Sequence, residues 1–299
     1  MINYDPHKWL DHFFDYRGTL LKEIGGRVLG CVAWSVVVVC VHFFWFKVGI
    51  SAQLHSLVGV ALGLLLVFRT NASYDRYWEG RKLWGGIVNE TRNLARLASL
   101  HLGADAELLA RFIRWTGLFP WAVMNVLRGE QSLGPYAADV GEEAAANAAA
   151  SQHPALAVAS EMTACLVQAR NKGLVSDIVL ASIDQNIQLL VGYLGGCERI
   201  RRTPLPFAYV VHLRRSLVVF CFSLPFALVE TFGWATILDV LVVAYIYFGI
   251  EEIGVEIEGP FGYDENDLPL ESICETIHGN IYSLAGIERS VRETLPEGL

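Results

Sequence analysis

The run VLGCVAWSVVVVCVHFFWF, from Val28 to Phe46, carries no formally charged residue across its 19 positions. That is enough α-helix to cross a hydrocarbon core of about 30 Å, and Arg27 and Lys47 bracket it. A second run, LHSLVGVALGLLLVF from Leu54 to Phe68, has 15 residues. Alone it would suit a buried core helix as well as a span, but only a short loop separates it from the first run, so it reads as the returning arm of a hairpin. Farther along, SLVVFCFSLPFALV (Ser216 to Val229) and WATILDVLVVAYIYFGI (Trp234 to Ile250) are joined by the short ETFG turn and predict a second hairpin.

Composition agrees with a bilayer as solvent. Of 299 residues, 53% are apolar and only 18% charged, an unusual balance for a domain that folds in water. A formal charge of −8 argues against a nucleic-acid partner, which would require a basic face. Six cysteines (Cys31, Cys40, Cys165, Cys197, Cys221, Cys274) are scattered without a CxxC pair, so neither a disulfide framework nor a zinc cluster is indicated. The first 25 residues mix acids, histidines and aromatics and lack the basic start, apolar middle and small-residue cleavage site of a secretory signal. The N-terminus is therefore expected to be retained in the cytoplasm.

Charge asymmetry orients the hairpins. Lys8, Arg17, Lys22 and Arg27 precede the first span, Arg69, Arg76, Arg81 and Lys82 follow the second, and Arg199, Arg201, Arg202, Arg214 and Arg215 precede the third, whereas the short loops within the hairpins offer only Lys47. Because cytoplasmic loops concentrate Lys and Arg, both termini and the central region are predicted to be cytoplasmic, in a multi-pass protein of the plasma (inner) membrane.

The central region reads as helices packed in water. KLWGGIVNETRNLARLASL and AELLARFIRWTGLFPWAVMNVL repeat apolar residues at intervals of three and four, the amphipathic α pattern. GPYAADVGEEAAANAAASQHP, Gly134 to Pro154, is rich in Ala, Gly and acid; its Ala run could form a short helix, but nothing apolar anchors it, and a surface excursion is expected. The chain thus divides into a cytoplasmic N-terminal segment (1–25), a first transmembrane hairpin (26–68), a cytoplasmic helical region (69–211), a second hairpin (212–251) and a cytoplasmic acidic turn with tail (252–299).

Three segments are more than generic membrane helix. FRTNASYDRYWEGRKLW (Phe68 to Trp84) leaves the second span with interleaved cations, acids and aromatics; taken residue by residue it suits an interfacial anchor. CERIRRTPLPFAYVVHLRR (Cys197 to Arg215) leads basic, proline-containing sequence into the third span. GIEEIGVEIEGPFGYDENDLPLE (Gly249 to Glu271) crowds acids around a PFG turn. In this order and spacing, from Tyr16-Arg17-Gly18 to Glu271, they resemble the bestrophin family, most specifically in Pro260, Phe261, Gly262, Asp264 and Asp267 after the last span. The resemblance implies an all-α membrane protein assembled as a homopentamer around one axial pore. The second span would line a narrow neck, and the cytoplasmic helices would carry the conduit to a second constriction. Animal members of the family are calcium-activated anion channels and some bacterial relatives conduct cations, so the choice between chloride and sodium stays open. Net acid tilts it slightly toward cations.

Val60, Leu64 and Phe68 recur every four residues and share one helix face over about 12 Å. Any apolar triplet suits packing between helices or against lipid, but the match of Phe68 to the family's neck motif favours a pore-lining collar that gates by dewetting. Gly59 and Gly63 beside it suit close helix packing. Carrying the family pattern back from Pro206 places the cytoplasmic constriction at Ile178, where a core isoleucine is the alternative. The positions matching the calcium ligands of gated relatives are Glu256, Gly259, Asp264 and Asp267; Gly259 has no side-chain oxygen, so one ligand is missing. No cofactor is required on this basis, and calcium gating is not favoured. Asp239 and Glu230, near the ETFG turn, suit an external interface. The expected partners are copies of the chain itself, the lipid bilayer and small monovalent ions. Two other classes of function remain as alternatives: a membrane-bound enzyme dependent on a divalent metal, although neither GxxxxGK[ST] nor GxSxG occurs, and a non-conducting membrane scaffold.

Overall fold

A valine-rich stretch has a modest intrinsic preference for helix, and packing and the absence of water must supply the rest. In the computed structural model, which describes residues 20–287, every regular element among the described residues is helical. The first helix, α1, runs Leu21–Phe44 and buries Ile24, Val28, Cys31 and Ser35 along one stripe. Lys8, Arg17 and the Tyr16-Arg17-Gly18 start of the family pattern lie outside the described residues, as does the tail beyond Ile287. After a seven-residue connection, α2 runs Ala52–Leu102 without a break. At about 1.5 Å per residue it is more than twice as long as a bilayer core is thick, so the second apolar run is only its first third. The remaining helices are α3 (Ala106–Arg128), α4 (Glu142–Ala149), α5 (Pro154–Asn171), α6 (Asp177–Arg202), α7 (Phe207–Phe232), α8 (Thr236–Glu256) and α9 (Leu270–Ala285).

The chain falls into two units. One combines the chain up to Trp78 with Thr203–Asp267, the other combines Glu79–Arg202 with the chain from Leu268 onward; the boundaries at 78 and 202 lie inside α2 and at the end of α6, away from the 68/69 and 211/212 divisions read from the sequence.

In the first unit α1 packs on α8 and α7, and Leu62 and Leu66 of α2 join the same core through Leu217, Phe220 and Phe248. The α7–α8 turn passes through Gly233 at φ +55°, a left-handed conformation that an L side chain adopts only with strain. Phe43 and Trp234 stack there with ring centroids 5.4 Å apart, and exposed Phe44 and Trp45 extend an aromatic cluster of the kind that marks a membrane interface.

The second unit is built around α3. Its N-cap is Asp105, whose carboxylate accepts from Leu108 N–H at 3.1 Å and pairs with Lys172 at 2.6 Å; the lysine's hydrogen bond holds that carboxyl below its usual range. The helix ends at Gly129 in the left-handed conformation. The amphipathic expectation for α3 is too weak: from Trp115 to Asn125 every residue is buried, because α5, α9 and α6 all pack against it. Likewise the 134–154 stretch is not a loose excursion. Its Ala-rich part forms α4, with Ala145 and Ala148 turned inward, and Tyr136 anchors it by stacking on His278 at 3.8 Å while its hydroxyl donates to Glu275. The anchor is aromatic and distant in sequence, which local composition does not reveal.

Candidate functional site

Over its apolar third α2 has two opposite faces. His55, Gly59, Leu62, Leu66, Arg69 and Ser73 are buried, at steps of three and four residues. This stripe turns toward α7 and α8: Tyr247 donates its hydroxyl proton to the Gly59 carbonyl at 3.0 Å, and a methyl added at Gly59 would stand 3.1 Å from the Phe220 ring. Val60, Leu64 and Phe68 lie on the far side and are 74%, 55% and 57% exposed. Leu57, also exposed and three residues nearer the loop than Val60, extends that face. Beyond Phe68 the face continues into exposed Asn71 and Asp75, so it changes from apolar to polar within about one turn.

At that change Arg69 turns inward. It is 1% exposed, and its guanidinium lies 3.6 Å from Glu251 Oε1 and 3.7 Å from Glu258 Oε2. Glu251, itself buried, also takes Arg214 at 2.9 Å and Arg27 at 3.4 Å, and Arg27 reaches Glu252 at 2.6 Å. Gly254 makes the room: a methyl there would stand 3.1 Å from Arg69 Nε. One carboxylate on α8 thus ties α1, α2 and α7 together. Of the aromatic and basic residues that follow the second apolar run, Tyr74 and Trp78 are exposed, whereas Arg69 is buried. Arg76 extends the same joint by donating from Nε to the Glu258 carbonyl at 3.1 Å, and the Glu258 carboxylate accepts from Leu205 N–H at 3.0 Å.

After α8 the chain turns at Pro260-Phe261-Gly262. Asp267, buried, accepts from Asp264 N–H through Oδ2 at 2.9 Å, and a methyl at Gly262 would come within 2.8 Å of that oxygen. Glu256 Oε2 accepts from the Asn266 amide at 2.5 Å. Beside Gly259 there is open space. Ile178 stands in the first turn of α6 and is 82% exposed.

The family model described as Bacterial/Fungal Bestrophin protein matches residues 1–283. The chain belongs to the bestrophin family. It is 40% identical over 290 residues to a voltage-dependent anion channel-forming protein of Nostoc sp., covering 95% of this chain and 94% of that one. It is 32% identical over 299 residues to a protein of the same description from Escherichia coli K12, covering 99% and 98%. A crystal structure of a bacterial bestrophin homolog from Klebsiella pneumoniae superposes with a TM-score of 0.82 at 32% identity, covering 89% of this chain and all of that chain (100%).

In this bestrophin the carboxylates of the acidic turn are held by groups of the turn itself. Ca²⁺ takes six to eight oxygens, whereas Asp267 and Glu256 are engaged by Asp264 N–H and Asn266. Among the described residues no group of three or more His, Cys, Asp or Glu side chains is placed to hold a metal ion. Asp267 acts instead as an internal cap that closes the turn. The charged joint around Glu251 was the part that sequence reasoning missed. Its only local signal is Glu251-Glu252 at the end of an apolar run, where an ionisable residue is costly without a partner.

Proposed function

We propose that this membrane protein is a homopentameric ion channel with one axial pore, in which five copies of α2 form the neck through Val60, Leu64 and Phe68. The observation that carries this is the two-faced α2: one stripe is packed inside the chain, and the opposite stripe is apolar and exposed from Leu57 to Phe68, with Asn71 and Asp75 following it. A ring of such faces has a narrow dry collar opening into a wetted vestibule. Ile178, exposed on its own chain, lines the second constriction on this scheme. The relatives' description as anion channel-forming proteins supports small anions such as chloride as the permeant species. Whole-chain acidity is a poor guide to the sign, because selectivity depends on which charges line the pore and not on the sum over the chain. No enzymatic reaction is assigned to it, and no cofactor is required. Purified protein in planar bilayers should show unitary currents whose reversal potential in a KCl gradient follows chloride. Absence of currents from correctly assembled protein would return the scaffold alternative.

Four spans are assigned, α1, the start of α2, α7 and α8, with both termini in the cytoplasm. The helix Asp177–Arg202 is also long and apolar enough to cross a membrane, but it carries Asp184 within and Arg199, Arg201 and Arg202 at its end. It buries Ile183, Ile187, Leu190 and Leu194 as a single stripe, the pattern of a helix packed in water on one side. Reporter fusions at residues 50 and 232 should read as external and at residue 140 as internal; an external signal at 140 would overturn the arrangement.

For the acidic turn, micromolar calcium is expected to change conductance little. Asp267→Ala leaves the Asp264 N–H without its buried acceptor and should lower stability by about 1–3 kcal/mol, seen as a lower melting temperature with unchanged ion selectivity. A steep calcium dependence lost in Asp267→Ala would show that main-chain oxygens or water complete a clasp after all.

A further inference from the structure

A cavity of about 190 Å³ opens on the first unit, lined by Arg27 of α1, Arg214, Leu217 and Val218 of α7, and Phe248 and Glu251 of α8. That is many times the roughly 10–15 Å³ a single water needs. Its lining is ordered by polarity. The charged groups sit at one end, and Leu217, Val218 and Phe248 lie one turn deeper along the two helices, toward the membrane interior on the span assignment above.

Both arginines are half-exposed, with side chains 44% and 51% accessible, and neither is used up by its carboxylate. Arg27 bonds Glu251 and Glu252 through Nη1 alone, and Arg214 bonds Glu251 through Nε alone. Nε and Nη2 of Arg27 and Nη1 and Nη2 of Arg214 have no partner among the described residues. Glu251, buried, binds both guanidiniums through its two carboxylate oxygens, and all three side chains line the cavity.

We infer that this cavity is a site for one anionic glycerophospholipid per subunit. Its phosphodiester sits between Arg27 and Arg214, and the start of an acyl chain lies along Leu217, Val218 and Phe248. Guanidinium forks match phosphate oxygens in pairs, and a basic pocket between membrane helices at the interface is where an anionic headgroup gains most. The apolar half of the lining separates a lipid from a free phosphate ion, which has nothing to place there. A choline headgroup brings its own cation toward the arginine pair and is disfavoured. The inference rests on the membrane assignment given under the proposed function, but its readout is lipid retention, so it succeeds or fails independently of ion conduction.

The test uses the full assembled protein in mixed micelles doped with phosphatidylglycerol, with phosphatidylcholine, or with inorganic phosphate alone. Native mass spectrometry counts retained lipid, and scanning fluorimetry follows the melting temperature. Phosphatidylglycerol should be retained about tenfold or more over phosphatidylcholine and should raise the melting temperature, while inorganic phosphate at millimolar concentration does neither. Arg214→Gln removes half of the phosphate clamp and should abolish most of that preference. Val218→Trp fills the apolar half without touching a charge, so it decides the matter if Arg214→Gln fails to fold; retention of phosphatidylglycerol should be lost there too. Equal retention of the two lipids, stabilisation by inorganic phosphate equal to that by phosphatidylglycerol, or full retention in Val218→Trp would each overturn the lipid site.

Discussion

Leu64→Ala and Phe68→Ala are expected to raise single-channel conductance with little change in the sign of the preferred ion. An apolar ring gives an ion nothing in place of its hydration shell, so the barrier at the neck depends on radius and wetting rather than on fixed charge. Each substitution acts once per subunit at a single level of the ring, and both side chains are more than half exposed on their own chain, so truncation removes little packing within it. A barrier lowered by only about 1 kcal/mol would raise the rate of passage roughly fivefold. Unitary currents in symmetric salt measure the conductance, and reversal potentials in a gradient measure the preference. Unchanged conductance and open probability in correctly assembled Leu64→Ala and Phe68→Ala protein would remove α2 from the neck.

The largest loss of stability should come from Glu251→Ala. Its carboxylate is shared by Arg27, Arg69 and Arg214, and Arg69 is almost wholly buried. Removing one partner of a buried charge pair leaves the other uncompensated and costs about 3–5 kcal/mol. Arg111→Ala is the control: its pair with Glu161 spans 3.1 Å, but the two side chains are 50% and 39% exposed. Such a surface pair is worth at most about 1 kcal/mol. Thermal unfolding of both variants in detergent should therefore separate them clearly, with Glu251→Ala losing assembled protein on mild heating. Equal loss in the two would mean that the joint around Glu251 contributes no more than a surface contact.

The two expected effects meet at α2, whose outer face carries Leu64 and Phe68 and whose inner face sends Arg69 to Glu251 of α8, and the two faces differed in how readable they were. Val60, Leu64 and Phe68 stood out because a four-residue spacing within an apolar run is a local pattern. The inward turn of Arg69 one position later was not legible, since an arginine at the end of a span suits a membrane border just as well. What distinguishes the two is Glu251, Glu258 and the space left by Gly254, all contributed by residues from the far end of the chain. In the acidic turn, the lack of a side-chain oxygen at Gly259 was legible in the sequence, but the use of Asp267 as the acceptor for Asp264 N–H depends on a bend that composition does not specify.

The sequence by itself determined the helical character, the position of the apolar runs and the family, because hydrophobic length, turn residues and motif order are properties of neighbouring residues and survive without coordinates. Only the tertiary structure decided that α2 continues unbroken to Leu102, that α3 is buried all round from Trp115 to Asn125, that Tyr136 pins the Ala-rich stretch to α9, and that three arginines converge on Glu251. Each of these depends on which distant side chains meet. The free energy of burying a ring or a guanidinium is set by those partners, and not by the residues beside it in the chain.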